Sequence, residues 1–382
     1  MKKWLPVLLA VILTAGCAPN FSKQDQVVQK KNDKKESAIV PNYQISDQYY
    51  KTILPFKPSK SRGLTVSNLN TRYDIDEFET GLMRVAQKQY SPNDYLFQEG
   101  QYLDKDTVQS WLNRKYTPAQ LKAKKLKASE NLGLNPVATG KNAASTPIYL
   151  AHILEQDYLI KSNKNTVKLG GVVIGLALNS VYYYQKEQYG ATYDKTIDHS
   201  IVASHGKSIA QEVIKRLRNI SGLKNVPITI ALYEQKGTDS VVPGNFFAYT
   251  TVSNGSTSID KWKSVNEKYY LFPNDATEKK YRDDSQSFNN FKYDVEKYFP
   301  NYNGVVGRGL YKDGQLSKLN IEIPMQFYGQ SEVVGFTQYI AGLLSDFPDY
   351  IALEISVTSV NGPKALIVRD PNEKEPFVHI YE

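Results

Sequence analysis

The sequence predicts an α+β protein. A mainly helical N-terminal region is followed by two similar strand–helix–strand–strand units forming mixed or antiparallel sheets. Three observations carry this expectation. Residues 74–89 place Phe78, Leu82 and Val85 on one helical face. Runs rich in β-branched and aromatic residues recur after residue 166, each bounded by Gly or Pro. The order of these runs repeats at a distance of about 140 residues, as expected for a duplicated unit.

Taken in order, residues 1–16 form the first element. Lys2 and Lys3 precede an apolar stretch from Trp4 to Leu13, and Thr14-Ala15-Gly16 lead into Cys17, the only cysteine of the chain. This is the pattern of a signal peptide, and the stretch is shorter than the roughly 20 residues a membrane-spanning helix needs. A cysteine directly after small residues marks a lipoprotein signal, with cleavage between Gly16 and Cys17 and a diacylglyceryl group on the Cys17 thiol. Thr14 stands where leucine is usual in such signals, with Leu13 one step further out. Residues 17–45 are rich in Lys, Gln, Asn and Asp and read as the lipidated cysteine and a flexible tether. That places the protein on the outer face of the cell membrane, anchored in the lipid bilayer after processing by a lipid transferase and a signal peptidase.

Residues 46–160 read as helical and loop-rich, ending in a short helix over 149–158. In the first repeat, 166–254, a strand over 167–184 precedes a helix over 200–219, with Ile209, Val213 and Leu217 at spacing four. Strands over 227–233 and 246–252 follow. Residues 255–303 are a polar connecting segment in which Trp262, Tyr269, Phe288, Phe291, Tyr298 and Phe299 are candidate contact residues. The second repeat, 304–382, gives a strand over 318–327, a helix over 331–347 and strands over 350–357 and 365–369.

Composition excludes several functions. The formal charge of +8 becomes +6 once Lys2 and Lys3 are removed with the leader, and no compact basic stripe appears, which argues against nucleic acid as a partner. An anionic lipid or wall surface fits this mild excess better. With Cys17 lipidated no disulfide is available, so core packing must hold the fold. The four histidines, His152, His199, His205 and His379, form no metal-ligand pattern, and no cofactor motif or nucleophile motif is present. Glu155 and Asp157 are two carboxyls close in sequence. As acids they would support a cell-wall or peptide hydrolase, although residues two apart on a helix do not share a face.

Tyrosine is twice as frequent as phenylalanine, 28 against 14. Its apolar ring and polar tip suit wet binding surfaces. In Val181-Tyr182-Tyr183-Tyr184 a strand would put Tyr182 and Tyr184 on one face. The matching place in the second repeat is Phe327-Tyr328-Gly329. Tyr182, Tyr184 and Tyr328 are therefore the candidate surface for a wall polymer or peptide ligand, in a mature domain that is a non-catalytic binding module.

Several runs together resemble the CamS family, the sex-pheromone precursor lipoproteins of Gram-positive bacteria. They are LPFK at 54–57, RGL at 62–64, YLFQ at 95–98, QYLD at 101–104, ENLGLNP at 130–136, ILEQD at 153–157 and IGLALNSVYYY at 174–184. YGQ at 328–330, EP at 375–376 and HIY at 379–381 complete the set. The resemblance implies that signal peptidase and a membrane protease trim the leader to a short hydrophobic peptide that induces conjugative plasmid transfer. The matching segment is Ala10 to Gly16, AVILTAG. The resemblance carries no catalytic residues over to the mature domain.

Overall fold

The computed structural model describes residues 25–31, 34–138, 146–162, 165–298 and 304–382. The leader, the Ala10 to Gly16 segment, the Gly16–Cys17 cleavage site and the Cys17 lipidation site lie outside the described residues, as do Phe299 and the side chain of Tyr298.

The described chain opens with strands β1 (Asp25–Lys31), β2 (Lys34–Val40) and β3 (Lys51–Thr52). Helices α1 (Leu64–Asn68) and α2 (Arg72–Gln87) lead to β4 (Tyr95–Glu99). Helices α3 (Lys105–Leu112) and α4 (Pro118–Ala123) then precede the long strands β5 (Leu150–Lys161) and β6 (Thr166–Asn179). A hairpin of β7 (Val181–Gln185) and β8 (Thr192–Thr196) follows. Helix α5 (His199–Leu217) and strands β9 (Ile228–Gln235), β10 (Asn245–Val252) and β11 (Lys263–Ser264) complete the first unit. The second unit runs β12 (Glu267–Phe272), α6 (Asp275–Lys280), α7 (Arg282–Tyr298), β13 (Val306–Lys312), β14 (Gln315–Pro324) and α8 (Gln330–Gly342). It ends with β15 (Ala352–Ser359), β16 (Gly362–Arg369) and β17 (Phe377–Ile380).

The repeat is visible in the pairing. In the first sheet β6 pairs parallel with β9 and β9 antiparallel with β10; in the second, β14 pairs parallel with β15 and β15 antiparallel with β16. Each parallel pair is joined through a helix, α5 or α8, and each has an antiparallel neighbour on its far side, β5 or β13. The two units differ in how they are covered. Residues 172–178 of β6 are buried on both faces, because α2 lies on one side (Phe78, Leu82, Val85) and α5 on the other (Val202, Ile209, Val213). Strand β14 instead alternates, burying Leu319, Ile321 and Ile323 under α7 and α8. A continuous apolar run thus marks a doubly covered strand, and alternation marks a singly covered one.

Three expectations are corrected. The strand expected over 167–184 ends at Asn179, and residues 181–184 belong to a separate two-stranded hairpin. Residues 149–158 are not a helix: β5 spans Leu150–Lys161 at the heart of the first sheet. The short apolar run there fits either period locally, and only its pairing with β4 and β6 decides. Nor do residues 17–45 form a tether throughout. Strand β1 pairs with β2 along its length and with the start of β6 through Val28 and Gln29, while Ile39 bridges to Leu54 beside β3. With β3, β4, β5 and β6 this closes a small barrel around Val27, Ala38, Val40, Ile53, Leu96, Leu159 and Val167. Three buried apolar residues in an otherwise polar stretch suffice because closure also removes the exposed edges of β3 and β6. The 255–303 segment holds β11, β12, α6 and α7, and its Phe288 and Phe291 are core residues of the second unit.

Candidate functional site

The residues Val181 to Tyr184 leave the first sheet where β6 ends. Ser180 turns the chain, its hydroxyl donating to Gln235 O at 2.6 Å and its carbonyl accepting from Ile197 N at 2.8 Å. The tyrosines therefore sit on a separate two-stranded hairpin, with Tyr184 directly opposite Tyr193. Alternation puts Tyr182, Tyr184 and Tyr193 on one face, and their rings stack in series at 5.7 Å for each step. The ladder has a cation at each end. Arg114 donates to Tyr182 Oη at 3.3 Å from the core side, and Lys186 Nζ lies 4.2 Å from the Tyr193 centroid on the solvent side. Tyr182 is the buried inner rung, Tyr184 is half-buried, and Tyr193 is exposed. Tyr183, on the opposite face, accepts from Thr238 N at 2.9 Å and so ties the hairpin to the loop after β9.

Tyr328 is elsewhere. It precedes α8 in the second unit, is 96% exposed, and its backbone N–H donates to Glu332 Oε2 at 2.7 Å. No ring contact joins it to Tyr182 or Tyr184 among the described residues. The rung missing from the sequence reading is Tyr193, whose Thr-Tyr-Asp-Lys-Thr setting has no apolar neighbour to signal a strand.

The carboxyls of Glu155 and Asp157 come together because β5 is a strand, on which residues two apart share a face. Both are almost fully buried. Glu155 accepts from the backbone N–H groups of Gln101, Tyr102 and Leu103 at 3.2, 3.0 and 2.6 Å, and Asp157 accepts from Gln101 N at 3.1 Å. Burial pushes the Glu155 carboxyl above its ordinary range, against the opposing pull of a hydrogen bond with Asp157 and of those N–H groups. The same charges, after burial itself, help push the Tyr102 phenol up to about 12. These bonds hold the turn between β4 and α3 against the sheet, and the turn's backbone covers the pair.

His152 is likewise an interior group. Asn68 Nδ2 lies 3.3 Å from Nδ1 and can only donate to it, so Nε2 carries the hydrogen and donates to Thr65 Oγ1 at 3.1 Å. Burial lowers its pKa to about 4. Between pH 6.5 and pH 4 the unfolded chain binds a proton that the native imidazole refuses, so stability falls as pH falls through this window. The expected loss is about 3 kcal/mol. Chemical denaturation at neutral pH and near pH 4 should show the His152→Gln variant losing less stability than the parent by about that amount; equal losses would contradict the assignment.

A cleft of about 410 Å³ lies where the two units meet, lined in part by Arg84, Lys88, Glu267, Lys312 and Asp313. Arg84 is held by Glu77 of α2 and by Glu267 of β12, the latter at 2.8 Å, and Tyr269 donates to Glu77 at 2.6 Å. This buried network joins α2 to the second sheet. Burial, together with Arg84 and Lys88 nearby, lowers the pKa of Lys312. Among the described residues no group of three or more His, Cys, Asp or Glu side chains could hold a metal ion, and no helix is long and apolar enough to cross a membrane.

Fold and surface together define a class: a two-unit α+β protein with a tyrosine-bearing hairpin projecting from one end of its first sheet. Residues 56–375 match the family model described as CamS sex pheromone cAM373 precursor. The chain is similar to the solved structure of the sex pheromone precursor from Lactobacillus salivarius subsp. salivarius UCC118, with 37% identity and a TM-score of 0.80 over 89% of this chain and 98% of that one. It is also similar to the C-terminal domain of the sex pheromone staph-cAM373 precursor from Staphylococcus aureus, with 37% identity and a TM-score of 0.72 over 82% and 98%. No curated protein sequence matches it. The chain belongs to the CamS family of sex pheromone precursors.

Proposed function

We propose that this chain is a lipoprotein with two products. Cleavage before Cys17 leaves the mature protein anchored through a diacylglyceryl group on the outer face of the cell membrane, and further trimming of the leader releases Ala10 to Gly16 as a hydrophobic peptide that induces conjugative transfer. The names of the family and of its solved relatives support the peptide reading. The segment AVILTAG is uncharged and apolar enough to diffuse through a wall and enter a peptide-binding protein.

The mature body is a non-catalytic binding module that takes a wall polymer or a peptide on the hairpin, with Tyr184 and Tyr193 as contacts and Tyr182 as their support. The observation that carries this is the stacked ladder, in which Tyr193 rests on Tyr184, Tyr184 on Tyr182, and Tyr182 on Arg114. Preformed aromatic faces lose little freedom on binding. The hydrolase alternative would need a solvent-reached carboxyl pair, whereas the bonds of Glu155 and Asp157 are directed at the Gln101–Leu103 backbone.

Two experiments test the two parts. Synthetic AVILTAG added to plasmid-bearing donors should raise conjugation at nanomolar to micromolar doses, and no response defeats the pheromone reading. Retention on purified wall polymer or on an immobilised peptide mixture should fall about tenfold in a Tyr184→Ala/Tyr193→Ala variant, while Tyr328→Ala leaves it unchanged. Equal retention of all three proteins would remove the hairpin as the binding surface.

A further inference from the structure

Strand β1 begins at Asp25, so only residues 18–24 separate Cys17 from the folded body. A fully extended chain covers at most 3.6 Å per residue, so Asp25 lies within about 28 Å of a lipidated Cys17. The end of the body that carries Asp25 must therefore face the membrane, and the pairing identifies that end. Asp25 opposes Val40, and the loop 41–50 starts immediately after it, at the N-terminal end of β6.

This loop is built inside out for a water-facing segment. Tyr43, Ile45 and Tyr49 are 81%, 74% and 53% exposed. The polar Gln44 between them is instead turned onto the loop's own backbone, donating to the carbonyls of Ser46 and Tyr49. Gln87 at the end of α2 donates to Gln48 O at 2.8 Å, Lys51 to Asn42 O at 3.2 Å, and Tyr50 is anchored in the core through Tyr90 O at 2.6 Å. Four carbonyls of the loop, those of Asn42, Ser46, Gln48 and Tyr49, are thus taken up by side-chain donors while three apolar side chains are exposed. Lys88, next to Gln87, is exposed beside the loop and borders the junction cleft; Asp47 is the loop's one carboxylate.

From this placement we infer that the loop 41–50 is a second membrane contact, in which Tyr43, Ile45 and Tyr49 enter the interfacial layer of the bilayer beside the Cys17 anchor. Tyrosine is favoured at that depth, and a neighbouring lysine is drawn to anionic headgroups. The acyl chains hold the protein on the membrane; the loop sets its orientation. Strand β6 has 14 residues and is about 45 Å long, and the tyrosine hairpin leaves its other end. An anchored loop therefore points the hairpin away from the lipid and toward the wall.

The inference rests on the lipoprotein reading, and one experiment separates the two. Because Cys17 is the only cysteine and its thiol is consumed by the lipid, Ile45→Cys and Tyr189→Cys can each be labelled with an environment-sensitive fluorophore in the full lipidated protein. Tyr189 lies in the connection 186–191 of the distal hairpin and is exposed. The labelled proteins are reconstituted into vesicles of equal parts phosphatidylglycerol and brominated phosphatidylcholine. The expected result is flotation of both, with the label at position 45 blue-shifted and losing about half its emission to the bromines, and the label at 189 unaffected. Flotation with no quenching at 45, or with equal quenching at both, overturns the membrane contact alone. A blue shift at 45 without quenching assigns the loop to a second copy of the chain and overturns it as well. Failure to float overturns the lipoprotein reading and this inference with it.

Discussion

Glu155→Ala will destabilise the protein by about 4 kcal/mol, because it leaves the N–H groups of Tyr102 and Leu103 buried without an acceptor and a neighbouring carboxyl without its partner. Glu155→Gln should cost less, since the amide oxygen keeps one acceptor while the amide nitrogen opposes the other N–H. Urea denaturation at neutral pH reads both. Wall-polymer retention, measured where the variant remains folded, should match the parent protein. The hydrolase reading predicts the reverse pattern: intact stability in Glu155→Gln, with loss of bond cleavage in a wall or peptide extract. Near-parental stability of Glu155→Ala would show that the turn between β4 and α3 is held by something else.

The second large effect lies at a junction repeated in both units. In the first, Arg218 follows α5 and donates to the carbonyls of Leu223, Val226, Ser253 and Ser256 at 2.7–2.8 Å, tying the helix end to the end of β10. In the second, the roles are exchanged. Arg369 closes β16 and donates to Leu344 O and Pro348 O at 2.8 and 2.7 Å, just beyond α8. Each guanidinium is buried and donates to backbone carbonyls, with the exposed Asp349 carboxylate 3.9 Å from Arg369, and only a planar, multiply donating cation can satisfy these carbonyls at once. Arg218→Met should lower stability by about 3 kcal/mol. Arg218→Lys should recover little of it, because an ammonium presents its donors from a single point. Full recovery by lysine would mean that charge alone, and not the fork, holds the junction.

These two sites show where the sequence was readable. Helices α2, α5 and α8 were legible because Phe78, Leu82 and Val85, or Val333, Phe336 and Ile340, repeat at helical spacing over several turns. The repeated unit was legible because its parallel strands are β-rich runs, continuously apolar in β6 and β9 and alternating in β14 and β15. Strand β5 was not, since its polar His152, Glu155, Gln156 and Asp157 are buried by partners far away in sequence: Thr65, Asn68, Glu79 and Gln101. The β1–β2 hairpin was hidden for a similar reason. Its apolar content is too low to predict order, and what orders it is closure of a barrel with strands more than a hundred residues on. In the candidate surface, the shared face of Tyr182 and Tyr184 follows from alternation alone. Tyr193 and Arg114 join it only through tertiary pairing, and Tyr328, although at the matching place of the repeat, lies in the other unit between β14 and α8. A repeated position carries a repeated backbone, and the hairpin that displays the tyrosines is an insertion between β6 and α5 alone.

The most direct measurement is intact mass spectrometry of the protein and its peptides from the native cell, separating membrane from medium. Expected are a membrane-bound chain beginning at Cys17 with a diacylglyceryl group on its thiol, and the heptapeptide AVILTAG in the medium. A membrane chain with an unmodified Cys17, or one that begins elsewhere with no leader peptide released, would contradict the two-product proposal.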